Sequence, residues 1–281
     1  MRVVDTIQTL RAALATAPHP LGLVATMGMF HDGHLSLMRR ARHDCQTVVA
    51  SVFVNPTQFG PSDDLSSYPR DEARDTRLAA AEEVDFLFVP TVAEIYPQGF
   101  DTSVAVGGLS ETLCGDPARR GPDHFRAVAT IVTKLLNIVS PDIAYLGQKD
   151  AQQALVVRKL VRDLDMPVRI ELCPTVRDRD GLALSSRNAY LAEGERASAG
   201  ALSRALAAAE ATVAAGERDG AAVLAAAAAE LDAADVEPEY LELRRASDLA
   251  PVERVNGSTL LAVAARIGNA RLIDNTILGD R

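Results

Sequence analysis

The sequence predicts an α/β protein, an open and doubly wound parallel sheet followed by a smaller α+β domain. Two observations carry that prediction. Through about residue 175, short apolar runs rich in Val, Ile and Phe alternate with longer amphipathic stretches, the pattern of parallel strands covered on both faces by helices. After Asn188 the texture changes to two alanine-rich segments and then three alternating runs, which read as a pair of helices followed by antiparallel strands.

The buried strands fall at residues 21–27, 47–54, 84–89, 142–147 and 168–172, with helices at 35–43, 71–81, 125–139 and 151–164. This is a Rossmann-like alternation, in which ligands sit outside the carboxyl ends of the strands where strand order reverses. Further along, residues 193–216 and 219–234 favour helix and are parted by Gly216 and Gly220. Residues 239–245, 259–265 and 271–278 alternate like antiparallel strands joined at Gly257 and Gly268-Asn269. The expected domains are residues 1–176 and 177–281.

Composition narrows the function. The chain has 281 residues, 48% hydrophobic and 24% charged, as an ordinary folded protein does. Its net charge of −9 counts against a nucleic-acid or anionic-membrane surface, so an anionic ligand needs a local basic site. Apolar stretches such as 47–54 and 221–229 fall short of the roughly 20 residues that cross a bilayer. Met1-Arg2-Val3-Val4-Asp5 offers no apolar signal core. Cys45, Cys114 and Cys173 are odd in number and widely spaced, which favours a reducing cytoplasm with neither disulfide nor cysteine metal site.

Four segments carry chemistry, each placed just after a predicted strand or opening a helix. In Thr26-Met27-Gly28-Met29-Phe30-His31-Asp32-Gly33-His34, a strand–turn–helix junction aims backbone N–H groups and the positive helix end at one point, which suits phosphate. Two imidazoles three apart can donate to an oxyanion as charge moves onto it. Isolated, they would read as surface residues capping a helix; the HxGH context after an apolar strand favours the functional reading. Asn55-Pro56-Thr57-Gln58-Phe59-Gly60 supplies neutral amides suited to hydroxyls and a carboxylate, with plain turn chemistry as its alternative. Gly147-Gln148-Lys149-Asp150-Ala151-Gln152-Gln153 opens another helix, with Lys149 able to meet phosphate and Asp150 a candidate N-cap or metal-side carboxylate. Leu184-Ser185-Ser186-Arg187-Asn188 sets two hydroxyls beside a guanidinium, a clamp for pyrophosphate oxygens.

Together these segments resemble the HIGH and KMSKS elements of nucleotidyltransferases and class I aminoacyl-tRNA synthetases, and more closely the pantothenate synthetase family. That family shows TMGxxHxGH, FVNPxQF, YPR, HFxGV, GxKDxQQ and SSRN. Here the corresponding stretches are 26–34, 53–59, Tyr68-Pro69-Arg70, His124-Phe125, 147–153 and 185–188, in that order. The likeness covers about residues 20–195. It implies an ATP- and pantoate-binding first domain and a second domain closing as a lid over a water-sensitive intermediate.

The resemblance also implies residue roles. Met27, Gly28, Met29, Phe30, His31, Asp32, Gly33 and His34 would cradle ATP, with His34 the acid-like donor to phosphate. Gly147, Gln148, Lys149, Asp150, Val176, Leu184, Ser185, Ser186 and Arg187 would be further ATP contacts, and His31, Lys149 and Arg187 would join His34 in catalysis. Gln58 and Gln153 would bind pantoate, Gln58 touching β-alanine too. Mg2+ would bridge phosphate oxygens with no dedicated protein cage, and the family likeness suggests a homodimer. This chain departs from the family at Ala25, where proline is usual, at Gln148, where glutamate is usual, at Ala127 in place of glycine, and at Gly121, where the arginine before proline is displaced to Arg120.

The implied reaction is ATP-dependent ligation of pantoate to β-alanine through a pantoyl-adenylate. A nucleotidyltransferase that stops after adenylyl transfer is a rival disfavoured by Gln58 and Gln153. A non-catalytic nucleotide sensor or RNA-binding relative is disfavoured by the acidic balance and by retention of both histidines, Lys149 and Ser185-Ser186-Arg187.

Overall fold

The computed structural model describes residues 1–60, 65–66 and 68–279. It divides into two compact units, Met1–Gln148 with Gln152–Pro174, and Lys149–Ala151 with Thr175–Arg281.

The first unit is built on strands β1 (Arg2–Val4), β2 (Leu21–Thr26), β3 (Thr47–Val52), β4 (Phe86–Phe88), β5 (Ile143–Gly147) and β6 (Arg169–Cys173). They form one sheet in the order β1-β4-β3-β2-β5-β6, and every neighbouring pair is parallel. The chain proceeds from β2 outward to β3 and β4, then crosses back to place β5 on the other side of β2. The switch point therefore lies between β2 and β5, the place where such sheets bind ligands.

Helices α1 (Ile7–Leu14), α2 (Asp32–Asp44), α3 (Glu72–Ala81), the short α4 (Val92–Ile95), α5 (Pro122–Val139) and α6 (Ala151–Asp163) accompany the strands. Period-2 alternation sorts strand side chains onto two faces. Leu21, Leu23, Val49, Ala144 and Leu146 pack with residues of α1, α5 and α6, whereas Val24, Val48, Ala50, Ile143 and Tyr145 pack with residues of α2 and α3. Burying each large apolar side chain contributes roughly 1.5–3 kcal/mol relative to exposure, so both faces are driven closed and the sheet is doubly wound.

The second unit packs helices α7 (Glu193–Ala214) and α8 (Gly220–Asp232) with β7 (Pro238–Arg245), β8 (Thr259–Ile267) and β9 (Ala270–Leu278). The strands are antiparallel in the order β7-β8-β9. Ala199, Ala205, Ala209 and Ala227 are fully buried between Leu202, Leu206 and Leu231, so the alanine bias of the sequence is a core of small side chains that lets α7 and α8 approach closely.

The α/β class and both sheets agree with expectation, and the differences are local. The helix expected from residue 35 begins at Asp32 because His31 serves as its cap, which places His34 inside the first turn. The helix expected from residue 125 begins at Pro122, where a fixed φ and a missing N–H cost nothing. Strand β1 and helices α1 and α4 were not anticipated; β1 and α4, three and four residues long, are too short to display a period, whereas α1 carries one in Ile7, Leu10 and Leu14 over only about two turns.

Candidate active site

At the carboxyl end of β2 the chain makes a tight turn. Thr26 donates its Oγ1 hydrogen to the Ser51 carbonyl at 2.7 Å and accepts from the Gly28 N–H at 3.1 Å. Gly28 has φ +82°, and a Cβ there would stand 3.0 Å from both an Asp75 oxygen and Val52, so glycine is required by conformation and by space. Met29 follows at φ 50°, an uncommon left-handed state for a residue with a side chain.

This turn is gripped from α3. The two carboxylate oxygens of Asp75 accept from the Met29 and Phe30 N–H groups, each at 2.7 Å, and Arg74 Nη1 donates to the Phe30 carbonyl at 2.7 Å. Asp75 is 1% exposed. Burial pushes its carboxyl above the ordinary range, and the two amide donors work against that rise.

Phe30 buries its ring in the core beside α2, so only its backbone is left for a ligand. His31 Nδ1 accepts from the Gly33 N–H at 3.2 Å, so neutral His31 carries its proton on Nε2. The His31 and His34 rings stack with centroids 4.1 Å apart. Asp32 is exposed, 3.6 Å from Arg39. The sequence-predicted cluster of Met27, Gly28, Met29, Phe30, His31, Asp32, Gly33 and His34 thus forms one turn at the positive end of α2.

The glutamines separate by role. Gln58 closes a 3-10 turn, Pro56–Gln58, capped by buried Asn55, whose Oδ1 accepts from the Thr57 N–H and from the Tyr96 hydroxyl at 3.0 Å. Burial raises the Tyr96 hydroxyl, opposed by its bonds to Thr57 and Asn55. The Gln58 carbonyl accepts from His124 Nδ1 at 3.1 Å and Arg120 Nη2 at 3.3 Å. The displaced Arg120 therefore reaches the Gln58 backbone, and neighbouring Gly121 adopts φ +83°, a conformation arginine would occupy only under strain.

On α6, Gln152 is buried and spends its whole amide on loop backbone: Oε1 accepts from the Cys114 N–H, while Nε2 donates to the Leu109 and Thr112 carbonyls. Gln153, next in sequence, is half-buried. Among the described residues neither its amide nor that of Gln58 is committed to a protein partner. Gly147 ends β5 and Gln148 begins the following 3-10 turn.

The second unit holds the remaining predicted residues. Lys149, with a side chain 20% exposed, places Nζ 3.6 Å from Asp150 Oδ1, and its carbonyl accepts from Asn275 Nδ2 at 2.9 Å. Val176 and Leu184 meet across a hairpin, the Leu184 N–H donating to the Val176 carbonyl at 3.0 Å. Arg177 forks onto the buried Asp274 carboxylate at 2.6 and 3.0 Å. Ser185 Oγ accepts from the Arg187 N–H at 3.3 Å and caps the 3-10 segment Ser186–Tyr190. Asn188 Nδ2 donates to the Ala183 carbonyl.

Asp75, Arg74, Asn275 and the Arg177–Asp274 pair were not singled out from sequence. Their partners are backbone groups or lie far along the chain, and no local spacing marks them. Cys45, Cys114 and Cys173 are free and buried; burial pushes the Cys45 and Cys173 thiols up, away from nucleophilic chemistry. Among the described residues, no group of three or more His, Cys, Asp and Glu is placed to hold a metal ion, and no helix is long and apolar enough to cross a membrane.

Comparison with known proteins adds an independent finding. A family model described as pantoate-beta-alanine ligase matches residues 2–277. The pantothenate synthetase of Roseiflexus castenholzii is 53% identical over 279 residues, covering 99% of each chain. The crystal structure of pantothenate synthetase from Thermus thermophilus matches with TM-score 0.93 at 46% identity, covering 98% of this chain and 99% of that one. The pantoate-beta-alanine ligase of Francisella tularensis, solved in complex with beta-gamma ATP and beta-alanine, matches with TM-score 0.82 at 31% identity, covering 99% and 97%.

Proposed function

Because this chain belongs to the pantoate-beta-alanine ligase family, we propose that it condenses (R)-pantoate with β-alanine at the expense of ATP, through a pantoyl-adenylate. A carboxylate does not acylate an amine at neutral pH, so the acid first needs a better leaving group. The pantoate carboxylate oxygen attacks the α-phosphorus, forming an acyl–phosphate bond as the bond to pyrophosphate breaks. The neutral amine of β-alanine then attacks the acyl carbon, loses a proton and expels AMP.

Roles follow from what each group can donate. His31, through Nε2, and His34 stand at the positive end of α2 and are assigned to the charge that develops on phosphate. Met27, Gly28, Met29, Phe30, Asp32 and Gly33 line that turn, and Gly147, Gln148 and Asp150 the next. Lys149 and Arg187, with Ser185 and Ser186, are assigned to the phosphate oxygens, and Val176 and Leu184 to the remainder of the nucleotide. Gln58 and Gln153, whose amides are uncommitted among the described residues, are assigned to pantoate, Gln58 also to β-alanine. Magnesium would supply charge neutralisation on the nucleotide, and no residue of this chain is assigned to hold it.

The observation that carries this reading is placement. The turn bearing His31 and His34 follows β2, and the segment leading to Gln153 follows β5, the two strands that flank the switch point. Its test is isotope exchange: labelled pyrophosphate should enter ATP with pantoate present and β-alanine absent. Exchange that strictly required β-alanine would exclude an adenylate formed before the amine is needed.

A further inference from the structure

We propose that Asp75 is a positioning residue for the adenylation step: by accepting from two consecutive backbone N–H groups it sets the turn that presents His31 and His34. The inference rests on the phosphate role assigned above to that turn. Three observations lead to it.

First, the contact is specific. Both carboxylate oxygens are used, each at 2.7 Å, on N–H groups 46 and 45 residues away in sequence. Second, the turn would not hold this shape unaided, because Gly28 at +82° and Met29 at 50° are consecutive positive-φ residues, and such states persist where surroundings over-determine them. Third, the grip is two-sided. Arg74 holds the Phe30 carbonyl at 2.7 Å while Asp75 holds the Phe30 N–H, so the peptide groups on either side of Phe30 are fixed by consecutive residues of α3. His31 begins at the next bond, and its ring and that of His34 stack on each other.

A buried carboxylate is costly to maintain. Satisfying two turn amides alone would not demand one, since water serves amides at a surface. What the carboxylate adds is rigidity: two acceptors in one plane fix the direction of both N–H vectors. Asparagine cannot do this, as one of its two terminal groups is a donor and would face an N–H.

The full-length Asp75→Asn variant tests the proposal in both half-reactions. Pantoate-dependent pyrophosphate exchange at saturating substrates should fall about a hundredfold, the scale set by misplacing a reacting group by about 1 Å. The KM for ATP should move by less than about fivefold, since the loss is in transition-state geometry. Aminolysis of supplied pantoyl-adenylate by β-alanine, which needs no departing pyrophosphate, should stay within about fivefold of the unsubstituted protein. Undiminished exchange in the variant overturns the proposal, and so does an equal loss in both half-reactions, which would mark Asp75 as a general fold residue.

Should Asp75→Asn fail to fold, amide hydrogen exchange on the unsubstituted protein decides. The Met29 and Phe30 amides should be strongly protected although they lie in no helix or strand, and exchange at free-peptide rates overturns the proposal. Absence of pyrophosphate exchange in the unsubstituted protein would count against the functional reading instead, leaving the amide measurement to judge Asp75.

Discussion

Two turns in this molecule use the same local device and are supported in opposite ways. In the first unit, His31 caps α2 by accepting from the Gly33 N–H; in the second, Ser185 caps its 3-10 segment by accepting from the Arg187 N–H. The first turn takes its shape from Asp75 and Arg74, more than forty residues along the chain. The second is shaped largely by its own hairpin, through Leu184 to Val176 and Asn188 to Ala183. A turn held by its neighbours keeps its form when distant residues change. One held from afar is rigid only while its remote partner stays in place, and its geometry can be altered without touching a residue of the turn itself.

Substitutions can break or sharpen that contrast. The largest effect is expected at the remotely held turn, where His34→Ala should lower kcat/KM at least about a hundredfold, the scale of losing one preorganised donor. Its circular-dichroism spectrum should stay native, and near-normal turnover with such a spectrum would reduce His34 to a surface residue of a helix end.

Next come the glutamines, with Gln58 also held from a distance by His124 and Arg120. Gln58→Ala and Gln153→Ala should each weaken pantoate use about ten- to a hundredfold, matching roughly 1.5–3 kcal/mol for a hydrogen bond to a charged group. ATP use should change far less, and only Gln58→Ala should raise the β-alanine requirement. Gln152→Ala should instead show in thermal stability, because its amide already serves the backbone at 109, 112 and 114. Separate titrations of the three substrates decide, and equal losses for ATP and pantoate would remove the substrate assignment.

The smallest effect probes the locally held turn through a remote tie. Arg177→Ala leaves the Asp274 carboxylate, 2% exposed, without its cation, and should cost about 2 kcal/mol in urea unfolding. A loss of activity disproportionate to that stability change would show that the second turn, too, depends on distant support.

The residues proposed to carry the chemistry of both turns are legible in the sequence because they are side chains at fixed spacing: His31 and His34, Ser185 through Arg187. The doubly wound sheet was legible because parallel strands covered on both faces are continuously apolar, as in Val48, Val49 and Ala50. Asp75 was hidden for a physical reason. Asp71-Glu72-Ala73-Arg74-Asp75 reads as the solvated start of a helix, and a carboxylate that binds backbone N–H groups leaves no complementary side chain elsewhere to betray it. Gln152 and Gln153 are indistinguishable by type. Successive residues on a helix point about 100° apart, so one enters the loop at 109–114 and the other does not, and that orientation belongs to tertiary structure. Arg177 and Asp274 are separated by 97 residues, beyond the reach of any periodicity.

The hydrogen bond from Asn275 to the Lys149 carbonyl spans 126 residues, and this sets a timetable for biosynthesis. At ribosomal speeds of about 5–20 residues per second, Asn275 is made roughly 6–25 s after Lys149. Once β6 has followed Lys149 out, every strand of the parallel sheet exists on the nascent chain while the turn bearing Lys149 still lacks its clasp. Strand β9 thus completes a feature begun 126 residues earlier, and the lysine turn reaches its final form only after that strand has been made.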